Sequence, residues 1–322
     1  MNAPIVSFVV PCYNYGRYLR DCLDRIFAQE GGYDIEVIAI NDCSSDDTLA
    51  ILRSYQDPRL KIIDHEVNRG HIFTVNEGLR AATGKYVVRV DPDDRHHRHF
   101  LRRTVPILES HPEVGLVYGD VSLIDAEGRV TQQCSDVDHG GRDFKGNELI
   151  PLLKKNFICA PTVLARREAW MEAWPVPDGL AFNDWYFNVM LARNWEFYYV
   201  SEVLADYRVH GSNHHTKVSR DGTEERSVLW VLKKVYAEPE RDAALERAKH
   251  DARRAVYASH HLDFATKYFG HGNNAASRRS YLQAIRYRPK LLANGEVLRR
   301  LAATLIPRPA YERAKLALRR AS

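Results

Sequence analysis

The chain has 322 residues, of which 45% are hydrophobic and 27% are charged, and this composition is typical of a folded globular protein. Its length allows one large domain with an appendage, or two domains, with a sizeable buried core. No segment approaches the roughly 20 apolar residues that a membrane-spanning helix needs, and the N-terminal residues lack a signal-peptide pattern. Composition therefore argues against disordered and membrane-spanning proteins.

The cysteines indicate a reducing environment. The chain has five of them, an odd number, without a Cys-x-x-Cys pair; they are Cys12, Cys22, Cys43, Cys134 and Cys159. We expect free thiols rather than a disulfide framework, and hence a cytoplasmic protein.

Short apolar strands alternate with amphipathic helices over the first 119 residues. Strands are predicted at residues 5–10, 35–40, 60–63, 86–90 and 114–118, and helices from 18, from 49 and at 72–82. Ser44 and Ser45 precede the second helix and are predicted to cap it. Alternation of this kind indicates an α/β fold with a mostly parallel sheet and helices on both faces.

Polar side chains follow three of these strands at the point where each strand ends. Tyr13 and Asn14 follow the first strand, Asp42 follows the second, and residues 91–94 follow the fourth. In parallel sheets, ligands bind in the crevice outside the carboxyl ends of the strands. We therefore expect these side chains to line one binding crevice.

The pattern changes after Gly119. A hairpin is predicted around residues 121–130, strands at 158–164 and 195–200, and a helix at 184–193. From about residue 224 onwards the sequence indicates mostly helices. We predict a domain over residues 1–222, made of halves 1–119 and 120–222, and a helical region over residues 223–322.

The helical region contains a strongly basic segment. Between Arg278 and Arg320, twelve Lys and Arg residues stand against two acidic ones, whereas the whole chain has a net charge of +4. Such a segment favours an anionic partner, and we expect the surface of an anionic membrane. A solvated helical face is the alternative interpretation. Nucleic acid is not expected, because aromatic residues are not interleaved with the charges.

Three aspartates surround a proline in Asp91-Pro92-Asp93-Asp94. Asp91 and Asp93 are two residues apart, so an extended backbone would point both side chains the same way. Paired carboxylates of this kind suit Mg²⁺ or Mn²⁺, which keep water ligands and also bind substrate phosphates. The alternative is a solvated acidic turn, and in both interpretations Asp94 is expected to cap the next helix.

The run Arg-His-His-Arg-His follows at residues 95–99. Its histidine spacing allows a zinc site, although it lacks cysteine partners. The other interpretation is that these cations moderate the charge of the acidic crevice or meet an anionic acceptor.

Four groups of residues recur in a characteristic order: VVPCYNYGRYL at 9–19, Asp-x-Ser-x-Asp at 42–46, Asn-Arg-Gly with Asn-Glu-Gly at 68–78, and Asp-Pro-Asp-Asp at 91–94. In this order and spacing, the chain resembles the family 2 glycosyltransferases of the GT-A fold over about residues 5–215. The resemblance implies an inverting, metal-dependent enzyme that uses a nucleotide-diphosphate sugar. A UDP-sugar is favoured, with GDP- and dTDP-sugars as alternatives. The implied acceptor is a glycan or a lipid-linked molecule, and the implied setting is surface polysaccharide or glycolipid synthesis.

The resemblance also implies roles for residues around the crevice. Asp93 would ligate Mn²⁺ or Mg²⁺, with His210 of the Tyr-Arg-x-His segment as the second metal ligand. Asp42 would accept hydrogen bonds from the base. The other implied nucleotide-sugar contacts are Pro11, Tyr13, Asn14, Arg69, Asn76, Asp91 and Pro92. Many family members carry an arginine where this chain has Val75, and Arg69 is the candidate to replace it.

The segment Asn183-Asp184-Trp185 resembles the part of the family that meets the acceptor. There Glu-Asp usually precedes Trp, so Asn183 replaces the usual glutamate, while Asp184 and Trp185 remain. The resemblance implies that Asp184 is the general base that removes the proton of the acceptor hydroxyl. The alternative is that Asp184 caps a helix that opens at Trp185. The change at Asn183 puts the orientation of the acceptor in question.

Two other functions compete with glycosyl transfer. A nucleotidyltransferase has a similar sheet topology but needs a basic, glycine-rich phosphate loop, whereas PCYNYGRYL has one glycine and no lysine. An inactive binding module of a glycan-assembly complex would not need the intact Asp91, Asp93 and Asp184, although the change at Asn183 fits it. We therefore expect an active transferase.

Overall fold

The computed structural model describes residues 5–134, 139–210, 222–306 and 311. The chain forms two compact units. The first comprises Met1–Leu149 and Phe157–Asn213, and the second comprises Ile150–Asn156 and His214–Ser322. The second unit thus includes a short segment from the middle of the chain, which the sequence-based division places in the first domain.

Strands and helices alternate through the first unit. The strands are β1 (Val6–Cys12), β2 (Ile35–Asn41), β3 (Leu60–Asp64), β4 (Tyr86–Arg89), β5 (Arg95–His96), β6 (Val114–Ile124), β7 (Val130–Cys134), β8 (Phe144–Gly146), β9 (Leu164–Arg166) and β10 (Glu196–Arg208). The helices are α1 (Gly16–Phe27), α2 (Thr48–Ser54), α3 (His71–Ala81), α4 (Phe100–Ser110), α5 (Leu149–Lys154), α6 (Arg167–Ala173), α7 (Asn183–Leu191), α8 (Thr223–Ala237), α9 (Ala243–Gly270), α10 (Asn274–Tyr287) and α11 (Gly295–Ala303). Helices α8 to α11 and all of α5 after its first residue belong to the second unit.

The strands form one mixed sheet. Its order is β3-β2-β1-β4-β9-β6-β10-β5, with β7 paired to β6 and β8 paired to β10. Strands β1 to β4 are parallel to one another. Strand β9 is antiparallel to both β4 and β6, so β6 and its parallel partner β10 run in the same direction as β1 to β4. The carboxyl ends of six strands therefore meet at one edge of the sheet, as the α/β prediction requires.

Strand β1 continues beyond its predicted end, through Pro11 to Cys12. The carbonyl of Val9 accepts a hydrogen bond from the N–H of Val90 at 2.8 Å. Pro11, two residues further on, faces the same neighbouring strand. Pairing with β4 stops at Val9 and Arg89. The missing N–H of Pro11 therefore costs no ladder hydrogen bond, and a proline fits inside this central strand.

The predicted strand at residues 158–164 is wrong for most of its length. Ala160–Thr162 forms a 3₁₀ turn, and strand β9 begins only at Leu164. Pro161 cannot donate to a ladder, and the next two N–H groups bond to carbonyls three residues earlier. By contrast, the predicted strand at 114–118 and the first arm of the hairpin form the single strand β6.

Helix α2 begins at Thr48, whose N–H donates a hydrogen bond to Oδ1 of Asp46 at 3.0 Å. The hydroxyl of Ser44 instead accepts a hydrogen bond from the N–H of Asn14 at 3.0 Å. The N–H of Ser45 donates to the side-chain oxygen of Asn14 at 2.8 Å. The predicted capping role of both serines is therefore wrong, because they join the loop after β2 to the loop after β1.

The second unit is helical, as the sequence indicates. A small core forms between its helices, and its buried members are Ala265, Tyr281, Ala284, Leu291 and Val297. Lys249 of α9 is fully buried and forms ion pairs with Glu240 at 2.7 Å and Glu246 at 2.9 Å. This buried cation ties the connection between α8 and α9 to the helix. Among the residues described, no helix is both long and apolar enough to cross a bilayer.

The cysteines whose side chains the structure describes are free thiols, as predicted. They are Cys12, Cys22, Cys43 and Cys159; the side chain of Cys134 lies outside the described part. Burial raises the pKa of the Cys22 thiol well above its usual value, so this side chain is unreactive at neutral pH.

Candidate functional site

The loop after β1 forms one side of the crevice. Pro11 is buried in the strand, and Tyr13 is 50% exposed. Asn14 has a φ of 59°, in the left-handed region that asparagine tolerates. Asp46, from the Asp-x-Ser-x-Asp motif, accepts a hydrogen bond from the N–H of Gly16 at 2.9 Å. The motif therefore fixes the start of α1 and, with it, the position of the residues just before it.

Asp42 lies at the end of β2 with its side chain almost fully buried. Its Oδ1 atom accepts hydrogen bonds from the N–H of Arg69 at 2.7 Å and from Nδ1 of His65 at 2.8 Å. Its Oδ2 atom accepts one from the N–H of Gly70 at 2.9 Å. Burial opposes the ionisation of Asp42, but these hydrogen bonds outweigh it and hold the pKa of Asp42 below its ordinary value. A carboxylate has about four acceptor positions, so one remains at Oδ2.

Arg69 and Asn76 lie in different surroundings. The guanidinium of Arg69 stacks on the ring of Phe73 at 3.8 Å, beside the loop that Asp42 holds. The amide of Asn76 donates to the carbonyl of Val176 at 3.0 Å and accepts from its N–H at 2.9 Å. Both ends of the Asn76 amide are therefore used to hold the segment before α7. Val75, where many family members carry arginine, is buried.

Asp91 is neutralised by a cation that sequence reasoning missed. Arg89, the last residue of β4, forms two hydrogen bonds to its carboxylate, at 2.6 and 2.9 Å. Burial opposes the charge on both groups, but the attraction between them wins, so the pKa of Asp91 is lowered and that of Arg89 is raised. The signal for Arg89 was a single charged residue inside the apolar run Val-Val-Arg-Val.

The structure brings Asp93 and His210 together. Nε2 of His210 lies 2.9 Å from Oδ2 of Asp93, and both side chains are about nine-tenths buried. Burial and then the charge of Asp91 raise the pKa of Asp93, against the opposing effect of His210. The ring of Tyr18 packs against His210 with 5.5 Å between centroids. These two predicted ligands are 117 residues apart in sequence.

Asp94 does not cap a helix, so the predicted capping role is wrong. Helix α4 begins at Phe100 with His99 before it. Asp94 is 1% exposed, and its Oδ1 atom accepts a hydrogen bond from the N–H of Arg208 at 2.8 Å. Its Oδ2 atom is buried without a hydrogen-bond partner among the described residues. Burial and the charge of Asp93 raise the pKa of Asp94 well above its ordinary value, which favours the neutral acid.

Arg208 holds the acidic turn in place. Its Nε atom donates to the carbonyl of Asp93 at 2.7 Å, and its Nη1 atom donates to the carbonyl of Asp125 in the hairpin turn at 3.1 Å. Its guanidinium lies 4.5 Å from the centre of the Tyr18 ring. The arginine of the Tyr-Arg-x-His segment therefore positions the turn, two residues before the histidine that contacts Asp93.

Helix α7 carries the residues of the predicted acceptor side. It begins at Asn183, so Asp184 is its second residue and not a cap before Trp185. The charge of Asp184 acts on Arg89 and, after Asp91, helps to raise the pKa of that guanidinium. Trp185 is buried. Asn183 is also buried, and its Nδ2 atom has no hydrogen-bond partner within the described ranges.

The run at residues 95–99 is used inside the first unit. Arg95 forms an ion pair with Asp21. His97 Nε2 lies 2.9 Å from a carboxylate oxygen of Asp206, and His99 Nε2 lies 3.2 Å from a β10 carbonyl. His96 is buried, and burial lowers its pKa to about 4, so it is neutral. These contacts favour a packing role over an exposed anion-binding run.

Asp93 and His210 are the side chains of this site that could hold a metal ion. Within the described part of the chain, no group of three or more His, Cys, Asp and Glu side chains is arranged to hold one, which leaves the zinc interpretation without support there. Asp93 and His210 nevertheless offer a carboxylate oxygen and an imidazole nitrogen in contact. Mg²⁺ and Mn²⁺ accept such a partial set when substrate phosphates and water supply the other ligands, and imidazole suits Mn²⁺ better than Mg²⁺. The two residues therefore fit the implied metal.

Known proteins similar to this chain agree with the architecture. The family model described as "Glycosyl transferase family 2" matches residues 7–173. An uncharacterized glycosyltransferase of Nostoc sp. is 27% identical over 234 residues, which cover 69% of this chain and 70% of that protein. A "PGL/p-HBAD biosynthesis glycosyltransferase" of Mycobacterium bovis is 29% identical over 230 residues, which cover 69% and 83% respectively.

Two solved structures share the fold. Residues 1–349 of S. aureus TarS, in complex with UDP-GlcNAc, superpose with a TM-score of 0.67 at 18% identity, covering 93% of this chain and 90% of that one. The mannosyltransferase PcManGT of Pyrobaculum calidifontis, in complex with GDP-Man and Mn²⁺, gives 0.60 at 19% identity, with coverages of 92% and 81%. The family match extends over half of the chain and includes the acidic turn. The chain therefore belongs to glycosyl transferase family 2 and is a glycosyltransferase with the GT-A fold.

Proposed function

We propose that this glycosyltransferase is inverting and metal-dependent, and that it transfers a sugar from a nucleotide-diphosphate donor to a hydroxyl of a glycan or lipid-linked acceptor. The observation that carries the proposal is the meeting of Asp91, Asp93 and His210 beside the strand ends, with the charge of Asp184 acting on the same Arg89 guanidinium. Synthesis of surface polysaccharide or glycolipid is the biological setting we favour. The name of the M. bovis relative supports that setting.

The donor nucleotide occupies the edge formed by the loops after β1 and β2. In this proposal Pro11, Tyr13 and Asn14 form the wall beside the nucleoside. The remaining acceptor position of Asp42 receives a hydrogen bond from the base, and Arg69 faces the phosphates or base. A UDP-sugar is favoured, and the UDP-GlcNAc and GDP-Man complexes of TarS and PcManGT support a donor of this class. Asn76 acts through the backbone of Val176 that it holds.

Asp93 and His210 hold Mn²⁺ or Mg²⁺, and Asp91 with Pro92 lies beside the ribose and diphosphate. A divalent ion supplies Lewis-acid stabilisation of the charge that develops on the diphosphate leaving group. Arg89 keeps Asp91 ionised and fixed, so that its oxygens stay directed by the two hydrogen bonds from the guanidinium. The Mn²⁺ complex of PcManGT supports metal use by this fold.

Asp184 is the general base in this proposal. The acceptor hydroxyl oxygen attacks the anomeric carbon as the bond to the diphosphate breaks. The leaving diphosphate takes the bonding electron pair, and Asp184 takes the hydroxyl proton. Asp184 lies in the first turn of α7, at the positive end of the helix dipole. Asn183 and Trp185 flank the base, and Asn183 offers an amide hydrogen to an acceptor in place of the usual glutamate.

A surface of the second unit fits an anionic membrane, which would bring a lipid-linked acceptor near. Large apolar side chains are exposed at Leu292, Leu298, Leu305 and Ile306. Exposed basic residues lie along the same segments, namely Arg286, Arg288, Lys290 and Arg299. Leu298 lies in α11, and Leu305 and Ile306 follow its C-terminal end. Apolar insertion with cationic attraction is the combination that holds a protein on an anionic bilayer.

Metal-dependent donor binding gives the first prediction. UDP should raise the melting temperature of the full chain more with Mn²⁺ than without it, and Asp93→Ala should remove that difference because a metal ligand is lost. Differential scanning fluorimetry measures it, with GDP as the alternative nucleotide. Asp34→Ala, at an exposed aspartate of the same unit, is the matched control and should behave as wild type. No stabilisation by UDP or GDP under any condition would contradict the donor-site assignment.

The base gives the second prediction. Asp184→Asn should lower the rate of transfer by about 10²- to 10⁴-fold, because amide nitrogen cannot accept the proton. Nucleotide affinity should stay unchanged in the same variant. Asp178→Asn, at an exposed aspartate six residues earlier, is the control. Release of sugar from a radiolabelled donor measures the rate. Transfer at the wild-type rate by Asp184→Asn would show that another group takes the proton.

The Arg89–Asp91 pair gives a prediction about stability. Arg89→Met should destabilise the protein by about 3–5 kcal/mol, because it leaves the charge of Asp91 without its partner. The double variant Arg89→Met with Asp91→Asn should recover part of that loss, since the charge is then gone as well. Urea unfolding followed by circular dichroism measures both. A double variant that is less stable than Arg89→Met would mean that Arg89 is not the main partner of Asp91.

Membrane attachment gives the fourth prediction. The full chain should sediment with vesicles of phosphatidylcholine and phosphatidylglycerol, and less with phosphatidylcholine alone. Leu298→Ser with Leu305→Ser should weaken sedimentation, because the apolar contribution of about 0.8 kcal/mol per buried methylene is removed. Equal sedimentation with charged and neutral vesicles would rule out the proposed surface.

A further inference from the structure

His65 lies between two carboxylates at the edge of the proposed donor site. It follows β3 directly, and its side chain is 8% exposed. Nδ1 of the ring lies 2.8 Å from Oδ1 of Asp42, and Nε2 lies 2.6 Å from Oε2 of Glu77 on α3. Neither His65 nor Glu77 was singled out by the sequence analysis. The three side chains form a chain of contacts from the end of β2 to the middle of α3.

Only one protonation state of the ring satisfies both contacts. An ionised carboxylate accepts hydrogen bonds but cannot donate one. A neutral imidazole has a single N–H, so one of its nitrogens would present a lone pair to a carboxylate oxygen at hydrogen-bond distance. The doubly protonated imidazolium donates to Asp42 and Glu77 at once, and its charge attracts both. With both carboxylates ionised, the geometry therefore selects the cationic ring.

The electrostatic surroundings act in the same direction. Burial opposes the charge on His65, but the hydrogen bonds and charges of Asp42 and Glu77 outweigh it and raise the pKa of His65 above 6.5. The neighbouring Asp64 is engaged with Asn41 at 2.8 Å and with Arg53 at 3.1 Å. Glu66, the next residue on the other side, is exposed to solvent.

Arg69, a residue of the proposed donor site, contacts the same aromatic ring as His65. The Phe73 ring packs against His65 with 5.9 Å between centroids. The guanidinium of Arg69 lies 3.8 Å from the centre of the same Phe73 ring. Both side chains therefore contact Phe73, which couples the position of His65 to that of Arg69.

The contacts of Asp42 connect His65 to the backbone that would meet the base. Asp42 accepts hydrogen bonds from the N–H groups of Arg69 and Gly70, immediately before α3 begins. Gly70 has a φ of 86°, which lets the chain turn into the helix. Glu77 is on that helix, about two turns after Gly70. His65 thus closes a ring of contacts that holds Asp42, the 69–70 turn and α3 in one geometry.

We propose that His65, as an imidazolium, is a positioning residue of the donor site that ties Asp42 to α3 and makes donor affinity depend on pH. The proposal rests on the proposed function, because it takes the nucleoside of the donor to bind at Asp42. His65 does not touch the donor in this account. It keeps the last acceptor position of Asp42, and the turn beside it, aligned with the base.

The direction of the pH effect follows from the raised pKa of His65. The contacts are complete below the ordinary histidine pKa of 6.5 and are lost as the pH rises through the raised pKa of the folded protein. Loss of the proton removes one hydrogen bond to a charged group. Affinity for UDP should then fall by about tenfold, which is the effect that such a bond has on a dissociation constant.

The test measures UDP and GDP binding to the full chain by calorimetry with Mn²⁺, from about pH 6 to about pH 9, the interval that brackets a raised histidine pKa. We expect affinity to decrease with an inflection above 6.5. Glu77→Gln should move that inflection to lower pH, because one of the two anions is removed. Glu66→Gln, an exposed neighbour, is the matched control and should leave it unchanged.

Two further measurements separate this role from other titrations. Pyrophosphate with Mn²⁺ reports on the metal and diphosphate end alone, so its affinity should not show the inflection that Glu77→Gln moves. The nitrogen chemical shifts of the His65 ring, assigned with His65→Gln, should show both nitrogens protonated at neutral pH in the wild-type protein. This measurement needs no nucleotide, and His65→Gln is the one variant that it requires.

The outcomes are distinguishable. A neutral His65 ring at pH 7, or nucleotide affinity that ignores pH, or an inflection that Glu77→Gln leaves in place, would overturn the positioning role while leaving donor binding intact. Absence of UDP and GDP binding at every pH would contradict the proposed function, and this role with it. An inflection that moves with Glu77→Gln and is absent for pyrophosphate would support it.

Discussion

Negative charge collected at one edge of a parallel sheet is the constraint on which the rest of this structure depends. Three aspartates of one turn lie there, of which Asp93 and Asp94 are buried and Asp91 is partly exposed, and each has a different partner. Asp91 is paired with Arg89 inside the strand that leads to it. Asp93 contacts His210, and Asp94 is placed where the neutral acid is favoured. One cation, one imidazole and one proton thus compensate three carboxylates that would otherwise repel one another.

This distribution leaves the crevice suited to a ligand that carries both charges. Because Arg89 already neutralises Asp91, a further cation is favoured at Asp93 and His210. In the proposed function, a diphosphate donor and a divalent ion would bring positive charge to Asp93 and negative charge to the same turn. The loops around the crevice are joined by side-chain hydrogen bonds, such as those of Asp46 and Asn14, so little ordering remains to be done on binding.

The same principle extends to the other end of the proposed donor site. Asp42 is held by two backbone N–H groups and by His65, which in turn contacts Glu77. Each carboxylate of the edge therefore has an internal partner of its own. Partners that are themselves buried hold the side chains in single positions, and this is the condition under which a few polar contacts can select one nucleotide.

The amino-acid sequence by itself determined the alternation of strands and helices, the crevice at the strand ends and the family, because periodicity and motif order are local properties of the chain. It also indicated Asp93 and His210 together, although they lie 117 residues apart, because their motifs are recognisable separately. Only the tertiary structure decided which carboxylate meets which cation. Asp94 and Arg208 are 114 residues apart, and nothing local to either predicts their hydrogen bond. Burial and partner choice depend on the packed sheet, so those assignments could not be made before the chain was folded.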